Sequence, residues 1–194
     1  MGRPAKFPED RILDMAAELC AAEGVEAVTA SGVARALGAP SGSIYHRFSG
    51  RAELRATLWC RTQERFQASY LGILEGVDDP AAAIAAGAVH AVRWCRANPA
   101  EARILILHRR EEFVAPELPE ALLARAAALE AGATRILDHL ARALHDGPTD
   151  YERLHFIAIG VPLAAMRPYL ERDGAIPPSV DSLVDDAIMT LLGG

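Results

Sequence analysis

The 194-residue sequence has no apolar run long enough to cross a bilayer. Its longest stretches free of charged side chains, residues 81–92 and 156–166, fall well short of the roughly 18 residues that a membrane helix needs. The N-terminus, Met1-Gly2-Arg3-Pro4-Ala5-Lys6, runs into Glu9 and Asp10 instead of an apolar segment, and position 6 lacks the hydroxyl of a myristoylation signal. Neither export nor lipidation is expected. Cysteine is scarce: Cys20, Cys60 and Cys95 are too few and too far apart for a disulfide framework or a CxxC pair. Each lies among apolar neighbours, as a small buried hydrophobe would in a reducing cytoplasm. The sequence also lacks GxGxxG, a Walker A loop, a GxSxG elbow and HExxH, and the turn at residues 38–42 lacks the lysine of a phosphate loop. No histidine and acid stand at metal-ligand spacing, so no metal and no cofactor are expected. An enzyme would need a catalytic group assembled from distant helices.

Strand patterning is nearly absent too. Apolar residues recur at three and four positions, which predicts an all-α fold of about nine helices. In residues 8–23 the face Ile12, Leu13, Ala16, Ala17, Leu19 and Cys20 ends at Gly24. Thr29 is a good N-cap for a short second helix that Gly38 closes, and residues 41–48 form a short third. After Ser49-Gly50, Arg51 opens a long helix with Leu54, Leu58, Thr62, Phe66, Tyr70 and Leu74 along one side. Further helices are predicted at 80–98, 99–107, 120–145, 150–171 and 178–192, with 109–119 a loop and Gly147-Pro148 a terminator. Gly160, Pro162 and Pro168 predict a kink in the penultimate helix.

The net charge is −6, unfavourable for a polyanionic partner, but it is unevenly spread. Residues 27–51 contain Arg35, Arg47 and Arg51 with no acid, whereas residues 52–194 hold fourteen basic and twenty acidic side chains. The acid-free stretch coincides with the second and third helices, a helix-turn-helix layout. A third helix of about eight residues would be about 12 Å long, matching a major groove. Its outer face would carry Ser41, Ser43, Tyr45, His46 and Arg47, with Ile44 and Phe48 turned inward. A helical protein-interaction module is the competing reading, in which the hairpin is purely structural; it leaves this polar outer face unaccounted for.

The segment from Val33 through Gly38-Ala39-Pro40-Ser41-Gly42-Ser43-Ile44-Tyr45-His46-Arg47-Phe48 to Ser49-Gly50-Arg51-Ala52-Glu53-Leu54 resembles the TetR family signature, and the resemblance covers about residues 8–55. It implies a helix-turn-helix DNA-binding domain at 1–50 and a helical effector-binding and dimerisation domain at 51–194. It further implies a cytoplasmic homodimer on double-stranded operator DNA, most simply a repressor, with a small-molecule effector. Carried over, Tyr45 and Arg51 would grip phosphates, Thr29 would meet another at a helix N-terminus, and Ser41, Gly42, Ser43 and His46 would approach bases or backbone. Arg47 stands where His or Tyr is typical, and Ala39-Pro40 replaces the common Val-Ser. Arg47 is open between a guanine reader and a further phosphate clamp. Arg3 and Lys6 form a short basic arm suited to an adjacent minor groove.

For the C-terminal part the resemblance implies a ligand pocket. Wall candidates are Trp59, Phe66, His90, Trp94, His139, Phe156 and Met166, although such residues more often simply pack. The last helix carries a continuous stripe, Val180, Leu183, Val184, Ala187, Ile188 and Leu191, suited either to its own core or to a four-helix bundle across a twofold axis.

Overall fold

The computed structural model describes residues 7–144 and 150–193, apart from the side chains of 139 and 142–144. Its helices are α1 Glu9–Glu23, α2 Ala30–Leu37, α3 Gly42–Tyr45, α4 Arg51–Leu74, α5 Pro80–Ala97, α6 Pro99–Leu107, α7 Glu120–Leu144, α8 Tyr151–His155, α9 Val161–Glu171 and α10 Ser179–Gly193. Two 3₁₀ turns, Val25–Ala27 and Arg110–Glu112, lie between them, and a π-helical turn, Phe156–Gly160, joins α8 to α9 without a break. With that continuous run counted once, there are nine helices among the described residues and no strand. No helix among them is long and apolar enough to cross a membrane. Arg3, Lys6 and the Gly147-Pro148 terminator lie outside the described residues.

The termini follow local chemistry. Pro8 precedes the first turn of α1, where Glu9 and Asp10 meet the positive end of the helix dipole, and Gly24 leaves it at φ 85°. The Thr29 hydroxyl accepts the Gly32 N–H at 3.0 Å, and Gly38 closes α2 in the left-handed region at φ 62°. Asp79 caps α5 through Ala82 N–H at 2.7 Å, with Pro80 in the first turn. The third helix is shorter than the eight residues expected. Regular α-helix covers Gly42–Tyr45, and i→i+3 bonds from Ser43 N–H to the Pro40 carbonyl and from Arg47 N–H to that of Ile44 tighten its two ends. The kink expected near Gly160 and Pro162 takes the form of the π-helical turn. Pro162 has no N–H to give the Ala158 carbonyl four residues back, so the ladder widens just ahead of it.

Two apolar cores result. The first joins α1, Val28, Val33, Ile44 and Phe48 to Leu54, Leu58 and Trp59 of α4 and to Ile104, Phe113 and Leu118. It runs without interruption past residue 50, so the three N-terminal helices are fused to α4 and α6 by shared packing. The second gathers α5, α6, α9 and α10 around Ile84, Val92, Trp94, Met166 and Leu170. α10 packs chiefly on α5, and this divides its stripe. Val180, Val184 and Ile188, expected at a dimer interface, are at most 3% exposed and belong to the chain's own core. Leu183 is exposed on the opposite side, while Ala187 and Leu191 are half-buried between the two.

Candidate nucleic-acid interface and ligand cavity

The head presents one polar face. Ile44 and Phe48, 0% and 2% exposed, seat α3 and the turn after it in the core shared with α1, α2 and α4; burying side chains of this size contributes about 1.5–3 kcal/mol each. With those two turned in, Tyr45, 56% exposed, points out beside exposed Ser41, Gly42 and His46 and half-buried Ser43 and Arg47. A Cβ on Gly42 would meet nothing within 4 Å, so this backbone lies open to an approaching surface. Thr29 is half-buried; its oxygen accepts the capping bond from Gly32 N–H, and its hydroxyl also meets that of Ser31 at 3.3 Å at the head of α2.

Arg51 opens α4 with 68% of its side chain exposed, 3.8 Å from Glu26. The stronger partner of Glu26 is buried Arg55, which donates to both carboxylate oxygens at 3.0 and 3.2 Å and to the Val28 carbonyl at 3.2 Å. That pair holds the Glu26 carboxyl below the usual range and leaves Arg51 only loosely tethered. Glu53, in the first turn of α4, accepts the Ser49 N–H and hydroxyl at 2.7 and 2.6 Å, fixing the corner between α3 and α4. Neither Arg55 nor Glu53 was singled out in the sequence. The only signal for Arg55 is its place four residues after Arg51, on the apolar side of the helix.

The C-terminal body encloses a cavity of about 300 Å³ between α4, α5, α6, α7, the π-helical turn and α9. Of the wall candidates, Phe66 and Met166 line it. Trp94 stands one layer behind, edge-on to Phe66 with ring centroids 5.3 Å apart. The other candidates are elsewhere. Trp59 is packed in the N-terminal core because its position on α4 faces α1. Phe156 is 59% exposed on the outer side of the π-helical turn. His90 faces a separate open groove between α5 and α10, where its Nε2 lies 3.0 Å from the Ser69 hydroxyl and its pKa is lowered by burial and by Arg93. The His139 side chain lies outside the described residues.

Three lining residues were overlooked: Gln63, Gln67 and Tyr70. They stand at i, i+4 and i+7 on α4, a spacing that puts polar groups along one helical face and could have marked them. No charged side chain lines the cavity among the described residues.

Residues 12–58 match the family profile of bacterial regulatory proteins of the tetR family. No curated protein matches the chain in sequence. Among solved structures the chain is similar to the fatty acid degradation regulator FadR of Bacillus halodurans, with 19% identity over 96% of this chain and 99% of that one and a TM-score of 0.73. It is similar also to FadR of Bacillus subtilis in complex with stearoyl-CoA, at 16% identity, 95% and 97% coverage and a TM-score of 0.74. A third likeness is to AibR in complex with isovaleryl coenzyme A and operator DNA, at 18% identity, 94% and 96% coverage and a TM-score of 0.69. The profile match falls on the helix-turn-helix that carries the open polar face, and the likenesses to solved structures show the fold of the whole chain.

Proposed function

We propose that this chain is a repressor that binds a palindromic operator as a homodimer and releases it when a small, largely apolar molecule fills the cavity under α4. The observation that carries this reading is one helix with two roles. α4 begins at Arg51 on the DNA-facing side of the head and supplies Phe66 and the polar wall residues of the cavity. Occupancy of the cavity and placement of the head thus act on the same rigid element. A ligand has only to favour the non-binding arrangement by the coupling free energy, typically about 1–3 kcal/mol. The relatives support both halves, since AibR was solved with an acyl coenzyme A and with operator DNA, and B. subtilis FadR with stearoyl-CoA.

Tyr45 and Arg51 act as phosphate clamps, with Thr29 at the N-terminus of α2 as a third. Ser41, Gly42, Ser43, His46 and Arg47 lie against the groove. A second copy is required because one short reading helix gives too little sequence information, and a dimer places two at about 34–36 Å, one turn of duplex. The outer side of the last two helical runs, with exposed Tyr151, Phe156, Leu183 and Met189, supplies the surface for that copy.

The test is fluorescence anisotropy with duplexes from the protein's own promoter region, comparing wild type with a Tyr45→Phe, Arg51→Ala double variant from 50 to 200 mM salt. Each phosphate contact contributes about 0.9 to the logarithmic salt slope, so losing Arg51 from both protomers makes it shallower by about 2. Wild-type binding no tighter to promoter DNA than to random duplex, with no site recovered from fragmented genomic DNA, would refute the proposal.

A further inference from the structure

The hydrogen-bonding capacity of the cavity is confined to one wall and points to one kind of ligand. Apart from Gln63, Gln67 and Tyr70, the lining is aliphatic or aromatic carbon and the Cys95 thiol. Gln67 is oriented by its bond to the Leu129 carbonyl at 2.9 Å, which its amide nitrogen must donate. Its nitrogen then faces the Gln63 side-chain oxygen at 3.5 Å, which leaves the Gln63 amide nitrogen directed elsewhere, without a partner among the described residues. The Tyr70 hydroxyl also has no partner among them, and burial pushes its pKa up to about 12, so it remains a neutral donor. Two donors facing an otherwise apolar cavity call for an acceptor on the ligand. An ionised carboxylate is disfavoured, because among the described residues no cation lines the cavity to offset its desolvation.

Size and exit narrow the class further. The volume, about 300 Å³, lies at the lower end of the roughly 300–1,000 Å³ of small-molecule pockets, which favours a medium-length chain over a long one. Tyr70 bounds the space because it is seated against Gly87, where a Cβ would stand 2.6 Å from the Tyr70 hydroxyl. The cavity reaches the surface at Ala133, which both lines it and is exposed. Beside that opening, a Cβ on Gly132 would lie 2.9 Å from the Gln67 side-chain oxygen and 3.8 Å from an Arg135 guanidinium nitrogen. Arg135 is exposed and forms no ion pair with any described residue. A cation just outside a neutral cavity suits an anionic carrier left in solvent.

We infer that the cavity takes a medium-length acyl chain bound as a thioester, its carbonyl oxygen accepting from Gln63 and Tyr70 on α4 and its anionic carrier lying outside beside Arg135. The inference rests on the proposed function only in taking this cavity as the effector site. Its test needs no DNA, because Trp94, one of two tryptophans, sits edge-on to Phe66 of the cavity wall and reports filling by fluorescence. The probes are octanoyl-CoA, stearoyl-CoA, octanoyl-N-acetylcysteamine, octanoate and CoA alone. Octanoyl-N-acetylcysteamine is expected to bind, octanoyl-CoA to bind more tightly, and octanoate, CoA and stearoyl-CoA each to bind at least tenfold more weakly than octanoyl-CoA. Gln63→Leu and Tyr70→Phe, made singly and together, with folding checked by circular dichroism, should weaken the N-acetylcysteamine thioester about fivefold each, one net hydrogen bond apiece. Arg135→Ala should remove the advantage of octanoyl-CoA and leave the N-acetylcysteamine thioester unchanged. Octanoate binding as tightly as either thioester, stearoyl-CoA matching octanoyl-CoA, or affinities unmoved by both α4 substitutions would overturn the inference. Operator binding is measured on the same samples, so loss of thioester binding with operator affinity intact sinks this inference alone, and the converse sinks only the operator reading.

Discussion

Gly32 and Gly42 separate stability from DNA binding by a change of one methyl group each. Helix propensity alone says that Gly→Ala at either position stabilises by about 1 kcal/mol. At Gly32 the structure reverses the sign. A Cβ there would stand 2.6 Å from the Ala27 carbonyl oxygen, 3.0 Å from Thr29 Oγ1 and 3.3 Å from Leu19 Cδ2. The carbonyl cannot retreat freely, since it accepts the Thr29 N–H at 2.9 Å next to fully buried Val28. The Thr29 oxygen is the cap of α2 itself. Overpacking of this kind costs about 1–3 kcal/mol and a disturbed cap about 1 kcal/mol. Set against the propensity gain, Gly32→Ala loses a net of about 1–3 kcal/mol. For a chain of this length that lowers Tm by roughly 3–10 °C. Gly42→Ala meets nothing within 4 Å, so its Tm should hold or rise slightly, while operator affinity falls about tenfold or more because the methyl stands where the duplex must approach. Differential scanning calorimetry and anisotropy on the two variants decide the matter. A Gly32→Ala protein as stable as wild type would refute the packing argument, and a Gly42→Ala protein with full operator affinity would refute the placement of α3 against DNA.

The cysteines, all buried, with burial pushing Cys20 and Cys60 up to about 11 and Cys95 to about 12, should be inert to a thiol-specific chromogenic disulfide at pH 8 and react together once urea unfolds the chain. Rapid labelling of the native protein would contradict this, Cys20 being the one to watch because His108 Nε2 lies 4.0 Å from its sulfur. Asp181 takes Arg93 at 2.8 Å and a close ion pair from Arg96, which also ties down the Ile176 and Pro177 carbonyls. Asp181→Asn should therefore cost about 2 kcal/mol at pH 7 in urea titrations. The arginines depress its folded pKa, so this contribution is present above the ordinary aspartate range and fades as pH falls through the lowered folded value. A gap between wild type and variant that widened below pH 4 would contradict the assignment. Glu101→Gln, which removes a buried carboxylate 3.0 Å from Arg65 and 3.6 Å from Arg61, should change stability by less than about 1 kcal/mol in urea titrations at pH 7, since desolvation offsets its pairing and Asp14 still holds Arg61 at 2.8 Å; a loss of about 3 kcal/mol or more would contradict this.

The helices were legible because punctuation and periodicity agree: Thr29 with Gly38, Asp79 with Pro80, and the i, i+4 series from Leu54 to Leu74 each mark an element that forms. The head was legible for a second reason, a dense local motif in which Ile44 and Phe48 must turn in and so force Tyr45 out. The cavity was not, because its walls come from six elements and no local pattern records which faces converge. Trp59 and Phe66 lie seven residues apart on one helix, yet one meets α1 and the other the cavity. Size and aromaticity, the criteria that selected Phe156 and His90, say nothing about which way a helix is rotated. The stripe on α10 stayed open between two readings for a related reason. Apolar residues at three and four positions show that a face is buried, not by what, and α5 supplies the cover for Val180, Val184 and Ile188.

If the cavity takes the ligand proposed above, Arg61 couples its contacts with Gln63 and Tyr70 on α4 to the other end of the molecule. It is buried on α4, donates to the Asp10 carbonyl at 3.0 Å and pairs with Asp14 at 2.8 Å on α1, and lies 3.6 Å from Glu101 on α6. Three helices therefore share one cluster of charges. Burial raises the Glu101 carboxyl while Arg65 and Arg61 pull it down, and the net shift is upward, so desolvation is the larger effect and the cluster adds little to stability. Its consequence is directional. An apolar contact between α1 and α4 tolerates sliding by fractions of an ångström, whereas a charge displaced from its partner in a dry interior does not. Gln63 and Gln67 follow Arg61 by two and six residues, about 3 and 9 Å along the axis. A shift of α4 that accommodates a ligand carbonyl is passed by Arg61 to α1, and α1 carries α2 and α3 with it through the shared core. On this argument Arg61→Met should leave the fold and thioester affinity near wild type, because a long apolar chain fills the same space, while abolishing most of the difference in operator affinity between free and liganded protein. Retention of the full difference would mean that packing alone transmits the signal.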